Sequence, residues 1–182
     1  STLAERRKTK RVEQGAVIID SDEVKVKVSH GLISVIPLTS ASRSRAMVSE
    51  CMIMANEAAA RYLQEHELPA VYISQPPPDS TLPNRAALPT RQTYVHATRR
   101  LMNPSSISTM PERHSALGVP SYTQVTSPLR RYVDLQMHHQ IKHHLATRQS
   151  LFHESQLQIV AASVQPAIAD ARKCERESVR FW

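Results

Sequence analysis

Residues 24–28 alternate valine with lysine, and this period of two is the pattern of a half-buried strand. The apolar run at 15–19 predicts a strand before it, and Asp20-Ser21-Asp22-Glu23 between the two predicts a hairpin turn. The acids of this turn also suggest a metal site, although turn chemistry alone explains them. A third strand is expected over 32–38. The N-terminal part of the chain therefore predicts antiparallel strands.

From residue 42 to residue 66 the apolar residues recur at steps of three and four, which predicts a long amphipathic helix. Glu50 lies off this apolar stripe, and Asn56 lies at its edge. The residues that we expect to face the core are Val48, Cys51, Met52, Ala55, Ala59, Tyr62 and Leu63.

Most of the twelve prolines fall between residues 68 and 120, including three in a row at 76–78. Proline removes a backbone donor and fixes φ, so this segment is neither one long helix nor a regular sheet. We expect a strand near 70–74, then a long irregular segment on the surface with a short helix near 93–102.

The last third of the chain is predicted to be helical. Ser127-Pro128 is typical of an N-cap followed by proline at the first helical position. A final helix is expected over 154–182, kinked or divided at Pro166. The fold class is therefore mixed α/β, with antiparallel strands at the N-terminal end followed by long helices. Its four stretches are a basic lead-in with strands (1–40), a helix (41–67), a strand with the proline-rich segment (68–120) and the C-terminal helices (121–182).

The chain of 182 residues carries a formal net charge of +7, and arginine supplies 17 of its 23 cations. Low glycine and cysteine contents exclude collagen, a low-complexity tail and a disulfide-stapled miniprotein. Arginine pairs with phosphate through two parallel hydrogen bonds, so an anionic partner is expected, although membranes and acidic proteins also satisfy the charge. The basic residues within 1–14 are interpreted as a solvated helix face or, alternatively, as a nucleic-acid contact.

Cys51 and Cys174 have no neighbouring cysteine, so we expect buried thiols in a reducing, cytoplasmic compartment. No apolar run approaches the ~20 residues that span a bilayer, and the N-terminus lacks the apolar core of a signal peptide.

Two adjacent arginines follow the predicted cap at Ser127. If the helix begins there, Arg130 and Arg131 lie in its first turn, where they and the free N–H groups form a concentrated anion site. The alternative is that Asp134, four residues after Arg130, neutralises that arginine in a surface pair. Both interpretations stay open on the residues alone.

Two other sets of side chains have metal-ligand or acid-base chemistry. His139 and His143 have the i,i+4 spacing of zinc ligands but lack the intervening glutamate and a third ligand, so solvent-facing or nucleic-acid-facing histidines are favoured. Glu175 lies on the inward stripe of the last helix, where we expect either a structural salt bridge or a site carboxylate. Outside the turn at 20–23, the sequence has no tight cluster of acids for Mg²⁺.

The motif Thr-Ser-Pro-Leu-Arg-Arg-Tyr-x-Asp-Leu at residues 126–135 resembles the signature of the ribonuclease II / ribonuclease R (RNB) exoribonuclease family. Val-Ser-Glu-Cys-Met-Ile-Met-Ala-Asn at 48–56 is similar to a helix of that family, and Glu-Arg-Glu-Ser at 175–178 is similar to the helix that closes its catalytic domain. The resemblance covers almost the whole chain and is weakest over 75–113.

The resemblance implies processive 3′→5′ hydrolysis of single-stranded RNA to nucleoside 5′-monophosphates, with Mg²⁺ as cofactor. It also implies that the metal-binding aspartates lie upstream of this chain and that an RNA-binding barrel follows it. The chain is then the C-terminal half of a catalytic domain, with no metal ligands of its own and no activity alone. The alternative is a non-catalytic RNA-binding relative that lacks the aspartates.

The resemblance also assigns roles to single residues. Arg130 matches the arginine beside the scissile phosphate, and Glu175 matches the acid near the active centre, with Glu177 as the alternative. The residues expected to contact RNA or shape its path are Glu50, Asn56, Tyr122, Ser127, Arg131 and Tyr132.

Overall fold

The computed structural model describes residues 3–19, 23–30, 32–38 and 42–181. Within them the fold is mixed α/β, as predicted, with five α-helices and two antiparallel strand pairs. The elements are α1 (Leu3–Glu13), β1 (Glu23–Ser29), β2 (Leu32–Leu38), α2 (Arg43–Glu65), β3 (Tyr72–Ser74), α3 (Arg91–Leu101), β4 (Ser106–Ser108), α4 (Tyr132–Thr147) and α5 (Glu154–Phe181).

Strands β1 and β2 form an antiparallel hairpin in which Ser29 lies opposite Leu32. The alternating pattern therefore identified β1 correctly, but Val28 is exposed rather than buried. The strand expected at 15–19 is wrong, because this segment forms no strand and packs beside α1, where the Ala16 N–H donates to the Arg11 carbonyl at 2.8 Å. Of the turn predicted at 20–23, residues 20–22 lie outside the described residues, and Glu23 begins β1.

Helix α2 has the predicted length but turns a different face to the core. Its buried residues are Glu50, Ile53, Asn56, Ala60 and Leu63. Val48 and Cys51 are exposed, so the predicted stripe is rotated from the real one. The hydrophobic periodicity missed this face because Glu50 and Asn56 are polar residues that are buried together with polar partners.

Cys174 is exposed, as is Cys51, so the expectation of buried thiols is wrong for both cysteines.

The main hydrophobic core lies between α2, β3, α4 and α5. It is built around fully buried Leu63, Val71, Met137 and Leu157. Strand β3 pairs with β4, so that Ile73 lies opposite Ile107, and the two strands bracket the proline-rich segment. The expected strand near 70–74 and the expected helix near 93–102 are both confirmed by β3 and α3.

Helix α4 begins at Tyr132, four residues later than Ser127-Pro128 predicts. Ser127 is not its N-cap: its carbonyl accepts hydrogen bonds from the N–H groups of Arg130 and Arg131 and closes a turn over 127–131. Arg131 is the last residue before the helix, in an extended conformation with φ −127° and ψ 117°.

Helix α5 continues through Pro166, so it is not divided there. The described side chains beyond Ile168 are exposed, and Glu175 is among them. The expectation that Glu175 faces the core of this chain is therefore wrong; the side chain of Val179 and Trp182 lie outside the described part. No helix among the described residues combines the length and the apolar character that a membrane crossing requires.

Candidate functional site

Asp134 organises the turn that precedes α4. Its side chain is fully buried, and its Oδ1 accepts hydrogen bonds from the Ser127 N–H and from Arg131 Nη2, both at 2.7 Å. The ion pair joins residues i and i+3, so the carboxylate holds Arg131. The alternative drawn from the sequence, in which Asp134 neutralises Arg130, is wrong. One aspartate thus fixes both the backbone of the turn and one of its two cations.

Arg130 lies on the same turn with its side chain exposed. Its backbone N–H donates to the Ser127 carbonyl at 3.2 Å, whereas its guanidinium makes no hydrogen bond or ion pair to any residue that the structure describes. Leu129 before it and Tyr132 after it are also exposed. The turn therefore presents one uncompensated cation beside an apolar and an aromatic side chain.

The segment that leads into this turn is held from three sides. The Tyr122 carbonyl accepts a hydrogen bond from Ile73 N–H at 2.8 Å, and Thr123 Oγ1 donates to the Val71 carbonyl at 2.6 Å. Asn56 of α2 binds Tyr122 and Val125, and His138 Nε2 of α4 donates to the Val125 carbonyl at 2.6 Å. These contacts bring the separate motifs at 48–56 and 126–135 together.

Glu50 of α2 forms a buried ion pair with Arg11 of α1. Arg11 Nε donates to Glu50 Oε2 at 3.0 Å, its Nη2 pairs with Oε1, and its Nη1 donates to the Leu117 carbonyl at 2.8 Å. Arg7 forms a second bridge to Glu57 at 2.8 Å. The interpretation of 1–14 as a solvated helix face is therefore wrong for Arg7 and Arg11. Only the seven-residue spacing from buried Ala4 could have identified Arg11 as inward-facing.

Sequence reasoning also missed His114, which lies in the irregular segment, where no periodic pattern exists. Its ring meets the Tyr122 ring edge-to-face, with 5.5 Å between the centroids. Burial lowers the pKa of His114. Burial also raises the pKa of Tyr122, against the hydrogen bond from Asn56. Both rings are therefore neutral near pH 7 and pack as a neutral pair.

The predicted acids on α5 stay apart from this turn. Glu175 and Glu177 are exposed and form no hydrogen bond or ion pair within the described part of the chain. Within the described part of the chain, the structure links Asn56 and Tyr122 to the turn that carries Ser127, Arg130, Arg131 and Tyr132. It forms no hydrogen bond or ion pair between this turn and Glu50, Glu175 or Glu177.

The side chains of this site do not fit a magnesium ion. No group of three or more His, Cys, Asp or Glu side chains with metal-binding geometry exists among the described residues. Among the described residues, the two buried carboxylates, Glu50 and Asp134, are each paired with an arginine, so this part of the chain offers no set of oxygen ligands for a hard cation. His139 and His143 on α4 do not belong to any group of three possible metal ligands among the described residues, and His139 is exposed.

Comparison with known proteins identifies relatives in sequence and in fold. An uncharacterized ribonuclease of Synechocystis sp. is 38% identical over 182 residues, covering 98% of this chain and 27% of the relative. The chloroplastic/mitochondrial ribonuclease II of Arabidopsis thaliana is 32% identical over 179 residues, covering 94% and 22%. The chain thus spans about a quarter of the length of these relatives.

Solved structures show the same fold. An active-site mutant of the Dss1 exoribonuclease from Candida glabrata matches 99% of this chain and 25% of its own, with a TM-score of 0.84 and 26% identity. The apo form of Mycoplasma genitalium RNase R matches 96% of this chain and 33% of its own, with a TM-score of 0.82 and 20% identity. The family model described as RNB domain matches residues 1–147. On this match over most of its length, the chain belongs to the RNB domain family.

Proposed function

We propose that the protein containing this chain is a 3′→5′ exoribonuclease that hydrolyses single-stranded RNA processively to nucleoside 5′-monophosphates. The observation that carries the proposal is the exposed, unpaired Arg130 on a turn fixed by buried Asp134. Membership in the RNB domain family and the ribonuclease names of its relatives support the same chemistry. The cytoplasmic location stays a prediction, since one of these relatives is named chloroplastic/mitochondrial.

The role of Arg130 is electrostatic. Hydrolysis of a phosphodiester increases negative charge on the non-bridging oxygens in the transition state, and a fixed guanidinium stabilises that charge without reorganising. The backbone of the turn is fixed before RNA binds, because the Ser127 N–H and carbonyl are both bonded within the protein. Asp134 neutralises Arg131, so Arg130 is the arginine of the pair that is available to the scissile phosphate.

The neighbouring side chains line the path of the RNA. Tyr132 is about half exposed, with 53% of its surface accessible, and offers a ring on which a base can stack. Arg131 keeps 24% of its side chain accessible beside Arg130, although Asp134 neutralises its charge. Together these groups favour a flexible single strand, whose bases are free to leave the stack.

The remaining machinery comes from other parts of the polypeptide. We propose that the Mg²⁺ ligands are aspartates outside these 182 residues, because the carboxylates described here are paired or dispersed. We further propose an RNA-binding barrel after this chain and Glu175 or Glu177 as the additional site acid. The 182 residues alone are then inactive, and Mg²⁺-dependent release of mononucleotides by this isolated piece would contradict that proposal.

The test is an RNA-degradation assay with the complete protein encoded by the gene. Single-stranded RNA is incubated with protein and Mg²⁺ so that each RNA is bound by a protein molecule only once. A 5′ label follows the shortening of the strand, and a uniform label identifies the released products. Stepwise shortening from the 3′ end, with nucleoside 5′-monophosphates as products, is the expected result. Binding that weakens as salt rises, without any shortening, would identify the non-catalytic RNA-binding relative instead.

A further inference from the structure

We propose that Asn56 is a positioning residue that sets the geometry of the turn carrying Arg130; the inference rests on the function proposed above. Asn56 is 1% exposed on the buried face of α2. Its Nδ2 donates to the Tyr122 hydroxyl at 2.7 Å, and its Oδ1 accepts from the Val125 N–H at 2.8 Å. Both ends of the amide are thus used inside the protein, which makes a direct contact with RNA unnecessary for its role.

The chemistry of the amide explains why asparagine stands at this position. One short side chain supplies a donor and an acceptor about 2 Å apart, which matches a hydroxyl oxygen on one side and a backbone N–H on the other. An apolar residue here would leave the Val125 N–H without a partner, and a buried unpaired donor is costly. The predicted apolar stripe placed Asn56 only at its edge because that pairing involves residues 66 and 69 positions away.

The effect of Asn56 reaches Arg130 through a short run of backbone. The Val125 carbonyl is held by His138 Nε2 from α4, while the Val125 N–H is held by Asn56 from α2. Two residues later the Ser127 N–H binds Asp134, and the Ser127 carbonyl closes the turn onto Arg130. Removing the α2 contact leaves residues 125–130 held directly by α4 alone, with Thr123 upstream still bonded to the Val71 carbonyl. The turn and its guanidinium therefore gain freedom relative to the rest of the site.

A double-mutant cycle in the complete protein tests this coupling. The rate of RNA cleavage in the bound complex is measured for wild type, Asn56→Ala, Arg130→Ala and the double variant. Misplacement of a catalytic group by about 1 Å costs on the order of a hundredfold in rate, so Asn56→Ala is expected to lose about ten- to a hundredfold in the wild-type background. In the Arg130→Ala background the same change is expected to cost less than about threefold, because the two residues act as one unit.

Two measurements distinguish this role from a contact with RNA and from the loss of an asparagine that only caps a turn. RNA affinity of Asn56→Ala is expected to stay within about threefold of wild type, because the guanidinium remains present. The matched control is Asn84→Ala, which removes an exposed asparagine that caps a short turn at 85–87 through the Ala86 N–H, and it should leave the cleavage rate unchanged. Equal losses from Asn56→Ala in both Arg130 backgrounds, or a loss confined to affinity, would overturn the inference.

Amide hydrogen exchange in the same protein tests the positioning role of Asn56 directly, without a measurement of RNA cleavage. Asn56→Ala is expected to accelerate exchange at Val125 at least about tenfold and at Ser127 to a smaller extent, while amides around Met137 in the core keep their rates. Unchanged exchange at Val125 would overturn the inference even in an active enzyme. A protein that hydrolyses no RNA but shows the accelerated exchange would overturn the proposed function and leave the structural role of Asn56 supported.

Discussion

At the scale of single residues, Asp134 and Asn56 hold the backbone of the candidate site in place. Each is buried, and each holds a backbone N–H of the segment that ends at Arg130. The motif alone indicated that an aspartate would hold an arginine, but the helix rules placed the arginines inside the helix. They failed because a Ser-Pro pair is also compatible with a turn, and the choice depends on Asp134 accepting from the Ser127 N–H. That contact joins residues seven positions apart, so the Ser-Pro pair itself does not encode it.

Another buried side chain, that of His144, links α4 to α2. Its Nδ1 bonds the Tyr62 hydroxyl at 2.7 Å, and only 6% of the residue is exposed. Burial lowers the pKa of His144, and the nearby charges of His66, Arg148 and His143 lower it further. The folded protein therefore holds this ring neutral at pH values where an unfolded chain already takes up a proton.

We predict a loss of stability in acid that depends on this histidine. The unfolded chain binds more protons than the native protein once the pH falls below about 6.5, so the contribution is present above that pH and is lost below it. The measurement is the Tm between about pH 8 and pH 5: His144→Gln should show a smaller decrease than wild type. His139→Gln, which changes an exposed histidine on the same helix, should show the wild-type decrease. Identical pH dependence in all three proteins would refute the assignment.

At the scale of elements, the hydrophobic periodicity was sufficient to predict a helix or strand where one face of the element is apolar and its packing partners are close in sequence. It predicted β1, α2 and α5. It failed at 15–19, whose backbone packs on α1 instead of pairing in a sheet. It also assigned the wrong buried face to α2, because the face of that helix that is actually buried contains a charged residue. The pairing of Glu50 with Arg11 spans 39 residues, and no local pattern encodes a contact over that distance.

Gly118 follows a short 3₁₀ turn at 115–117 and lies against the C-terminal end of α1. It has φ +67°, and a Cβ added there would lie 2.5 Å from the Arg11 carbonyl oxygen and 2.8 Å from the Ala16 nitrogen. Gly15 is a matched control with φ +90°, because a Cβ there would meet nothing nearer than Arg113 Nη2 at 3.6 Å. The two positions share the positive φ and differ in steric space.

We predict that Gly118→Ala is much more damaging than Gly15→Ala. Gly15→Ala should lower the free energy of unfolding by about 1–2 kcal/mol, which is the cost of a side chain at positive φ. Gly118→Ala adds a clash with backbone atoms and should cost about 3 kcal/mol or more, since α1 must move away from the loop. Urea unfolding of both variants measures the difference. Equal losses would mean that the contact between α1 and the loop at 118 is not tight.

At the scale of the whole molecule, the net charge of +7 indicated an anionic partner but could not indicate which arginines meet it. The structure pairs Arg7, Arg11, Arg61 and Arg131 with acids, and it leaves Arg130 exposed on a fixed turn. The motif at 126–135 carried the family, and hence the fold, because it is specific in residue type and spacing. The position of Glu175 could not be predicted in the same way, because the apolar stripe on α5 continues onto a part of the helix that this chain leaves exposed.

The most direct test of the account compares two arginines that contribute equally to the total charge. Arg130→Ala and Arg61→Ala each remove one exposed guanidinium, but Arg61 pairs with Glu65 at 3.9 Å near the end of α2, away from the turn. For the complete protein, the cleavage rate of bound single-stranded RNA and the RNA Kd are measured side by side. We predict that Arg130→Ala lowers the rate by about 10²–10³-fold with a far smaller change in Kd, and that Arg61→Ala changes neither appreciably. Equal losses in rate and affinity for Arg130→Ala would show that this arginine only grips the RNA and would contradict the account.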